Sequence, residues 1–189
     1  MVRKKACIFI SGYGSNLKSL IHRSRENNFP INVSLVISDK FNAKGILHAK
    51  KNSIPYLIVN TKKRNFENLI LKKIKRYKIS VIFLAGYMKI ISKNFIFNFR
   101  NKIVNIHPSL LPKFKGLNTY QRILKQNEKQ TGCTVHYVNE ELDGGEIILQ
   151  GKVPILPDDD IISLTKAIQR QEYALLPSAI EHVKNKYQK

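Results

Sequence analysis

The sequence predicts an α/β fold: a mostly parallel sheet with helices on both faces, then C-terminal antiparallel strands and a long final helix. Three observations predict it. From Ala6 to Ile106, apolar β-branched runs alternate with stretches of helical period, and continuous apolar strands separated by helices belong to a parallel sheet covered on both faces. A glycine-bearing loop, "ISGYGSNL" (Ile10–Leu17), follows the first apolar run and opens the first helical stretch. Beyond Thr131 the alternation stops, and two strand-like runs follow one another across a turn containing Gly144 and Gly145.

"ACIFIS" (Ala6–Ser11) reads as the first strand, with a helix after it from about Ser15 to Asn27. "INVSLVIS" (Ile31–Ser38) is the second strand, and a helix covers about Ala43–Lys51. "PYLIVN" (Pro55–Asn60) is the third. In "RNFENLILKKIKRYK" (Arg64–Lys78), Phe66, Leu69, Ile70, Ile74 and Tyr77 form an apolar stripe at helical spacing, and the lysines take the other face. "ISVIFLAG" (Ile79–Gly86) is a fourth, fully apolar strand, and a short helix near Lys93–Phe99 leads to "KIVNI" (Lys102–Ile106). "TGCTVHYV" (Thr131–Val138) and "EIILQGKVPI" (Glu146–Ile155) are the antiparallel pair. The final helix spans about Asp158–Val183. Pro157 and three aspartates suit its positive end, and Ile161, Leu164, Ile168, Leu175 and Ala179 mark its apolar stripe.

The 189 residues, with no internal repeat or low-complexity linker, fit one Rossmann-like domain that buries roughly 70% of the unfolded surface. Hydrophobic residues at 43% and charged residues at 24% are ordinary for a soluble globular chain. No apolar run reaches the ~20 residues of a membrane span. The short basic start runs straight into a strand and a glycine turn, unlike a signal peptide. A membrane is therefore not expected as a partner. Cys7 and Cys133 lie in predicted strands without a metal-type spacing, the pattern of a reduced, cytoplasmic protein with no metal. The net charge of +20 invites a nucleic-acid reading. Yet the 33 basic residues are 25 Lys and 8 Arg in a chain crowded with Asn and Ile. That is compositional drift, since a nucleic-acid groove favours Arg and aromatic platforms. The lysines of Arg64–Lys78 are read as a solvated face, and nucleic acid is not expected as a partner.

In "ISGYGSNL", Gly12 and Gly14 let the backbone turn sharply and approach a ligand. Ser15 and Asn16 open the helix, whose free N–H groups make an anion site. Three readings stay open at this point: a simple phosphate, a dinucleotide and a purely structural turn. Asp39, at the end of the second strand, favours a dinucleotide; Leu17, where the dinucleotide fingerprint wants Gly, opposes it.

The stretch "VNIHPSLLPKF" (Val104–Phe114) ends a buried strand with an amide, a histidine and two prolines. Pro108 and Pro112 remove backbone donors and push His107 and Leu111 out of the helical region. Asn105 and His107 alternate by two at the C-terminal end of a parallel strand, so both side chains leave on one face, where open α/β sheets bind ligands. An amide donor and an imidazolium can together hold the oxygen of a tetrahedral intermediate. A nearby carboxylate would keep the imidazole charged. Asp143, displayed in "NEELDGGEI", is the candidate, although spacing alone does not bring it to His107.

"NIHPSLLPKFKG" (Asn105–Gly116) resembles the signature of the folate-dependent formyltransferases. "ISGYGSNL", "LAGYMKIIS" (Leu84–Ser92) and "HYVNEELDGGEIILQ" (His136–Gln150) resemble, in the same order, the branch of that family that acts on glycinamide ribonucleotide. The resemblance spans nearly the whole chain. It implies formyl transfer from 10-formyltetrahydrofolate, a co-substrate, to the ribonucleotide amine in purine synthesis, with no metal or prosthetic group. It puts the catalytic group on Asn105, His107 and Asp143. Asn105 would bind the formyl oxygen, a charged His107 would stabilise the oxyanion and act as general acid, and Asp143 would support His107 and relay a proton.

The same resemblance seats the phosphate on Gly14, Ser15 and Asn16, and the ribose hydroxyls on Gln169 and Glu172 of "QRQE"; a surface salt bridge is the alternative for Glu172. It builds the folate pocket from Lys63, Met88, Lys89, Ile90 and Ile91, with Asn139, Glu140, Glu141, Leu142 and Asp143. Lys63 and Lys89 stand where Arg is common, with Arg64 adjacent to the first. Lys115, Asn118 and Tyr120 depart from the commoner "PGLHTH". The chain then divides into a phosphate-binding half, about 1–100, and a catalytic half, about 101–189, acting as a monomer or weak homodimer. The rivals are methionyl-tRNA formyltransferase and formyltetrahydrofolate deformylase. Each carries a further domain for which 189 residues leave no room. A basic RNA-binding module is the non-enzymatic alternative.

Overall fold

The computed structural model describes residues 3–99 and 102–184. The expected division between two halves, at residues 100 and 101, lies outside the described residues. Strand β1 (Lys4–Ile10) is followed by α1 (Ser15–Arg23), β2 (Ile31–Ser38), α2 (Ile46–Lys51), β3 (Tyr56–Ile58), α3 (Phe66–Arg76), β4 (Val81–Leu84), α4 (Lys93–Asn98) and β5 (Ile103–His107). Helix α5 (Thr119–Lys125), β6 (Gln130–Tyr137), β7 (Ile147–Pro154) and α6 (Ile161–His182) complete the order. The strands form one 7-stranded sheet in the order β3-β2-β1-β4-β5-β6-β7. Pairing is parallel from β3 to β5 and antiparallel for β5–β6 and β6–β7.

The period-2 alternation of each strand divides the core between the two faces. Ala6, Ile8 and Ile10 of β1 pack with Leu17 and Leu20 of α1 and with Leu164, Ile168 and Leu176 of α6. Cys7 and Phe9 of the same strand pack with Ile70 and Ile74 of α3, Phe95 of α4 and Ile103 of β5. The chain thus leaves β1 across one face and returns to β4 across the other. The crevice between the ends of β1 and β4 is the topological switch point, where open sheets of this kind take ligands. The loops after these strands meet there: Ser11 N–H donates to Gly86 O at 3.1 Å, and Met88 N–H donates to Ser11 Oγ at 2.8 Å.

The structure departs from the expected elements in several places. Helix α1 stops at Arg23 rather than Asn27, because the Ser24 hydroxyl turns back onto Ile21 O at 2.8 Å, a local bond that competes with helix continuation. Helix α6 starts at Ile161, where Asp160 accepts from Ser163 N–H at 2.7 Å in a capping box. Leu69 and Ile161, assigned to apolar stripes, are exposed. Helix α5 was not expected. It is seven residues long, starts after a left-handed Asn118, and buries only Thr119 and Ile123, too few apolar positions for a helical period to be read.

Candidate active site

Strand β5 carries Asn105 and His107 to the C-terminal rim of the sheet. Antiparallel pairing sets His136 opposite Asn105 and Thr134 opposite His107, so four polar side chains share one face at the rim. The chain then turns at Pro108, with Ser109 N–H donating to His107 O at 2.9 Å. The loop that follows is fastened to the antiparallel strands. Thr134 Oγ1 accepts from Leu111 N–H at 3.0 Å and donates to Ser109 O at 2.7 Å, and Gln150 Nε2 donates to Leu111 O at 2.9 Å. The prolines end the strand, and Thr134 and Gln150 hold the turn that follows.

Asp143 enters from the β6–β7 connection, in the left-handed region at φ 48°, where Asp is tolerated better than most residues. Its Oδ2 lies 3.3 Å from His107 Nδ1 and accepts from Gly116 N–H at 2.8 Å. Its Oδ1 accepts from Asn105 Nδ2 at 3.3 Å and lies 3.6 Å from His136 Nε2. The carboxylate therefore links all three sequence-expected residues and a fourth, His136. His136 Nδ1 faces the Tyr137 carbonyl at 2.8 Å, so Nδ1 carries a proton. Its Nε2, 3.1 Å from Asn105 Nδ2, accepts from the amide when the ring is neutral and turns a proton toward Asp143 when it is charged. Both Asn105 amide hydrogens are engaged internally, as are both His107 nitrogens, since His107 Nε2 lies 2.9 Å from Phe114 O. An incoming carbonyl oxygen must take over one of these donors.

Burial raises the Asp143 carboxyl, but hydrogen bonds from His136 and Gly116 and the charges of His107 and His136 outweigh it and hold it at about 2. His107 is 6% exposed, and burial pushes its imidazole below the ordinary histidine value. Asp143 and the Phe114 carbonyl pull upward; His136 and Arg122 push down with burial. The expected carboxylate does favour a charged His107, and the loss of hydration wins. A histidine that titrates low is a stronger acid. Together with an amide donor it can stabilise charge on a carbonyl oxygen and give up a proton.

The first loop lies across the switch point. Gly14, at φ 71°, caps α1, and a Cβ there would stand 2.6 Å from Gly45 Cα, so only glycine lets the two loops touch. Ser15 and Asn16 begin the helix, leaving their N–H groups without intrahelical partners. The Asn16 side chain turns inward, its Nδ2 donating to Glu172 Oε2 at 2.9 Å in a buried contact. Glu172 is therefore neither exposed nor in a surface salt bridge. Burial, opposed by the Asn16 bond, pushes its carboxyl up to about 7. Gln169, half-buried, precedes it on α6 by three positions, on one helix face.

Across the crevice, Met88, Ile90 and Leu142 are 60%, 81% and 55% exposed, an unusual degree for large apolar side chains beside a polar group. Lys89 is exposed, and Ile91 is half-buried against the second core cluster. Asn139 accepts from Glu141 N–H at 3.0 Å, Glu140 pairs with Lys93 at 3.4 Å, and Glu141 pairs with Lys115 at 2.6 Å. Lys63 follows the edge strand β3 and is exposed. Its link to the crevice is indirect: Glu67, one turn further on, accepts from Ser92 N–H at 2.9 Å. Among the described residues, no group of His, Cys, Asp or Glu is arranged to hold a metal ion, and no helix is long and apolar enough to cross a membrane.

Residues 4–180 match the formyl transferase family. The chain belongs to that family. It is 43% identical over 184 residues to phosphoribosylglycinamide formyltransferase of Haemophilus influenzae, covering 94% of this chain and 86% of that one. It is 38% identical to the human trifunctional purine biosynthetic protein adenosine-3, covering 96% of this chain and 18% of that much longer protein. The crystal structure of phosphoribosylglycinamide formyltransferase from Anaplasma phagocytophilum superposes with a TM-score of 0.92 at 37% identity, covering 96% of this chain and 87% of that one. The fold of this formyl transferase is thus that of its solved relatives. Sequence reasoning missed His136 and Arg122 at the site. His136 could have been found from β-sheet periodicity, since Cys133, Val135 and Tyr137 are core positions and leave Thr134 and His136 for the other face. Arg122 gave no such signal, because α5 itself was not legible.

Proposed function

We propose that this protein transfers the formyl group of 10-formyltetrahydrofolate to the amine of glycinamide ribonucleotide, giving formylglycinamide ribonucleotide and tetrahydrofolate, in purine synthesis. The observation that carries this reading is the Asp143 carboxylate, 3.3 Å from both His107 Nδ1 and Asn105 Nδ2, at the strand end beside the Gly14 loop. The names of the similar proteins support the choice of acceptor.

In the net reaction a bond forms from the amine nitrogen to the formyl carbon, the bond from that carbon to the folate nitrogen breaks, and one proton passes from the amine to the departing nitrogen. Asn105 gives up its weak 3.3 Å contact with Asp143 and donates to the formyl oxygen. His107, charged for the step, stabilises the same oxygen and supplies a proton. Asp143, ionised at the outset, holds the imidazole, receives the amine proton through water and passes it to His107, which restores the imidazolium as the other proton leaves with the folate nitrogen. The N-terminal N–H groups of Ser15 and Asn16, with the close approach allowed at Gly14, suit a phosphate. Gln169 and Glu172 suit ribose hydroxyls. The exposed Met88, Ile90 and Leu142, with Ile91, suit an aromatic ring system. Lys89, Lys63 and the backbone of Asn139, Glu140 and Glu141 are assigned to the polar parts of the folate.

One chain supplies the whole catalytic group, and one sheet runs through both halves. This supports a single domain, 1–189, acting as a monomer or weak homodimer, and charged metabolite substrates support a cytoplasmic location. The deciding experiment offers purified protein and 10-formyltetrahydrofolate three acceptors: glycinamide ribonucleotide, methionyl-tRNA and water. Formyl transfer to the ribonucleotide is expected. Transfer to tRNA, or folate hydrolysis alone, would overturn the assignment.

A further inference from the structure

Arg122 projects from α5 beneath the loop that follows β5. Its Nη2 donates to Phe114 O at 2.7 Å and to Lys115 O at 2.6 Å, and its Cζ lies 5.9 Å from the centre of the Phe114 ring. Among the described residues no carboxylate pairs with it: Glu141 is taken by Lys115, Glu128 by Lys113 and Asp143 by the histidines. A guanidinium whose hydrogen bonds to the described residues go to backbone carbonyls, beside the catalytic group, is an uncommon use of Arg.

The two carbonyls belong to a strained turn. Phe114 is left-handed at φ 58°, a conformation costly for a bulky residue and kept only where the surroundings impose it. Arg122 holds that turn from below. The carbonyl it grips is the one that His107 Nε2 reaches at 2.9 Å. Phe114 O therefore serves two donors, Arg122 on one side and His107 on the other, and His107 Nδ1 is left to face Asp143.

We propose that Arg122 is a positioning residue for His107: through the shared Phe114 carbonyl it fixes the imidazole plane against Asp143. The inference rests on the formyl-transfer reading for its kinetic consequence, and on geometry alone for the link to His107. The groups facing His107 are Asp143 from the β6–β7 connection, His136 from β6, Arg122 from α5 and the Phe114 carbonyl. Of these, Asp143 and the carbonyl favour the charged ring, while His136 and Arg122 join burial in favouring the neutral one. Removing the Arg122 charge therefore raises the midpoint of His107.

The test compares wild type, Arg122→Gln, Arg122→Lys and, as a control on the exposed face of α3, Arg76→Gln. The first readout is the NMR titration of the His107 ring in protein without substrates, assigned by its absence in His107→Asn. The second is kcat and KM against pH with 10-formyltetrahydrofolate and glycinamide ribonucleotide. Arg122→Gln is expected to raise the His107 midpoint and to carry the high-pH limb of kcat with it. It is also expected to lower kcat on the order of 10- to 100-fold, with KM for both substrates nearly unchanged. Arg122→Lys, which keeps the charge but loses the planar fork, is expected to keep the midpoint and still lose kcat; Arg76→Gln is expected to change neither.

A merely structural Arg122 would lower the melting temperature and kcat while leaving the midpoint in place. An unmoved midpoint in Arg122→Gln, or equal shifts in both Arg122 variants, overturns the proposal. Should Arg122→Gln fail to fold, Arg122→Lys decides alone, and an undiminished kcat in it is the overturning result. If wild type transfers no formyl group to the ribonucleotide, the functional reading fails while the titration still decides whether Arg122 governs His107.

Discussion

The Asp143 carboxylate sits 3.3 Å from the His107 imidazole, although β6 and the loop around α5 separate the two residues in the chain. The carboxylate binds His107, Asn105 and the Gly116 N–H at once, so it fastens together the strand end, the loop after it and the β6–β7 turn. A single side chain thus both assembles the site and supplies its negative charge.

If this pair is the catalytic one, its loss costs turnover more than fold. His107→Ala and Asp143→Asn are each expected to lower kcat roughly 10²–10³-fold, the usual cost of an oxyanion partner. Asn tolerates the left-handed backbone at 143, so that variant isolates the charge. Circular dichroism and melting at assay temperature should stay close to wild type; unfolding of either variant would count against the assignment.

The pH dependence follows from the same pair. A step that needs charged His107 slows as pH rises through its midpoint, which burial sets below the ordinary histidine value against the pull of Asp143. Asp143→Asn removes the largest upward pull, so the high-pH limb of kcat/KM is expected to move to lower pH. In stability the Asp143 carboxyl works the other way. Held at about 2 against an ordinary 3.8, it contributes stability that is present above 3.8 and lost as pH falls toward 2.

Glu172 has the opposite sign. Its carboxyl is raised from 4.5 to about 7, so its protonated form is favoured in the fold. That contribution is complete below 4.5 and disappears as pH rises through 7, a change of about 3 kcal/mol at 1.36 kcal/mol per unit. Denaturant unfolding of wild type should therefore weaken from pH 5 to 8. Glu172→Gln, which can keep the bond from Asn16, should flatten that slope. An equal slope in both proteins would show that the carboxyl is not buried in this way.

Changes in the first loop should weaken ribonucleotide binding and spare folate binding. Ser15→Ala keeps the backbone N–H but removes the hydroxyl at the helix start, and is expected to raise KM for glycinamide ribonucleotide on the order of tenfold, the price of one charge-assisted hydrogen bond; Asn16→Ala is expected to raise the same KM, and both to leave the folate KM nearly unchanged. Asn16→Ala acts partly through Glu172, which loses its buried partner. Equal effects on both substrates would undermine the phosphate assignment.

Gly14→Ala tests the packing beneath that loop. The new methyl would stand 2.6 Å from Gly45 Cα at a φ of +71°, so backbone must shift as well as strain. A loss of about 1–3 kcal/mol is expected, read as a lower denaturation midpoint. An unchanged midpoint would mean that the two loops do not touch.

The order of strands and helices up to β5, the antiparallel pair and the closing helix were all legible, because each depends on a period carried within a few residues. So were the glycines of the first loop and the pairing of Asn105 with His107 on one face, which follow from local backbone geometry. Helix α5 was not, since it buries two side chains and owes its existence to the neighbours it packs on.

The sequence by itself determined the alternation of elements, the sharp turns at Gly14 and Pro108, and the display of Asn105 and His107 at the sheet rim. Only the tertiary structure decided that Asp143 reaches His107, that His136 completes the cluster, that Asn16 turns inward to Glu172, and that Arg122 shares a carbonyl with the imidazole. The physical reason is range. Periodicity and turn chemistry act between neighbours along the chain, whereas these contacts form between residues made adjacent by strand register and by packing across the sheet.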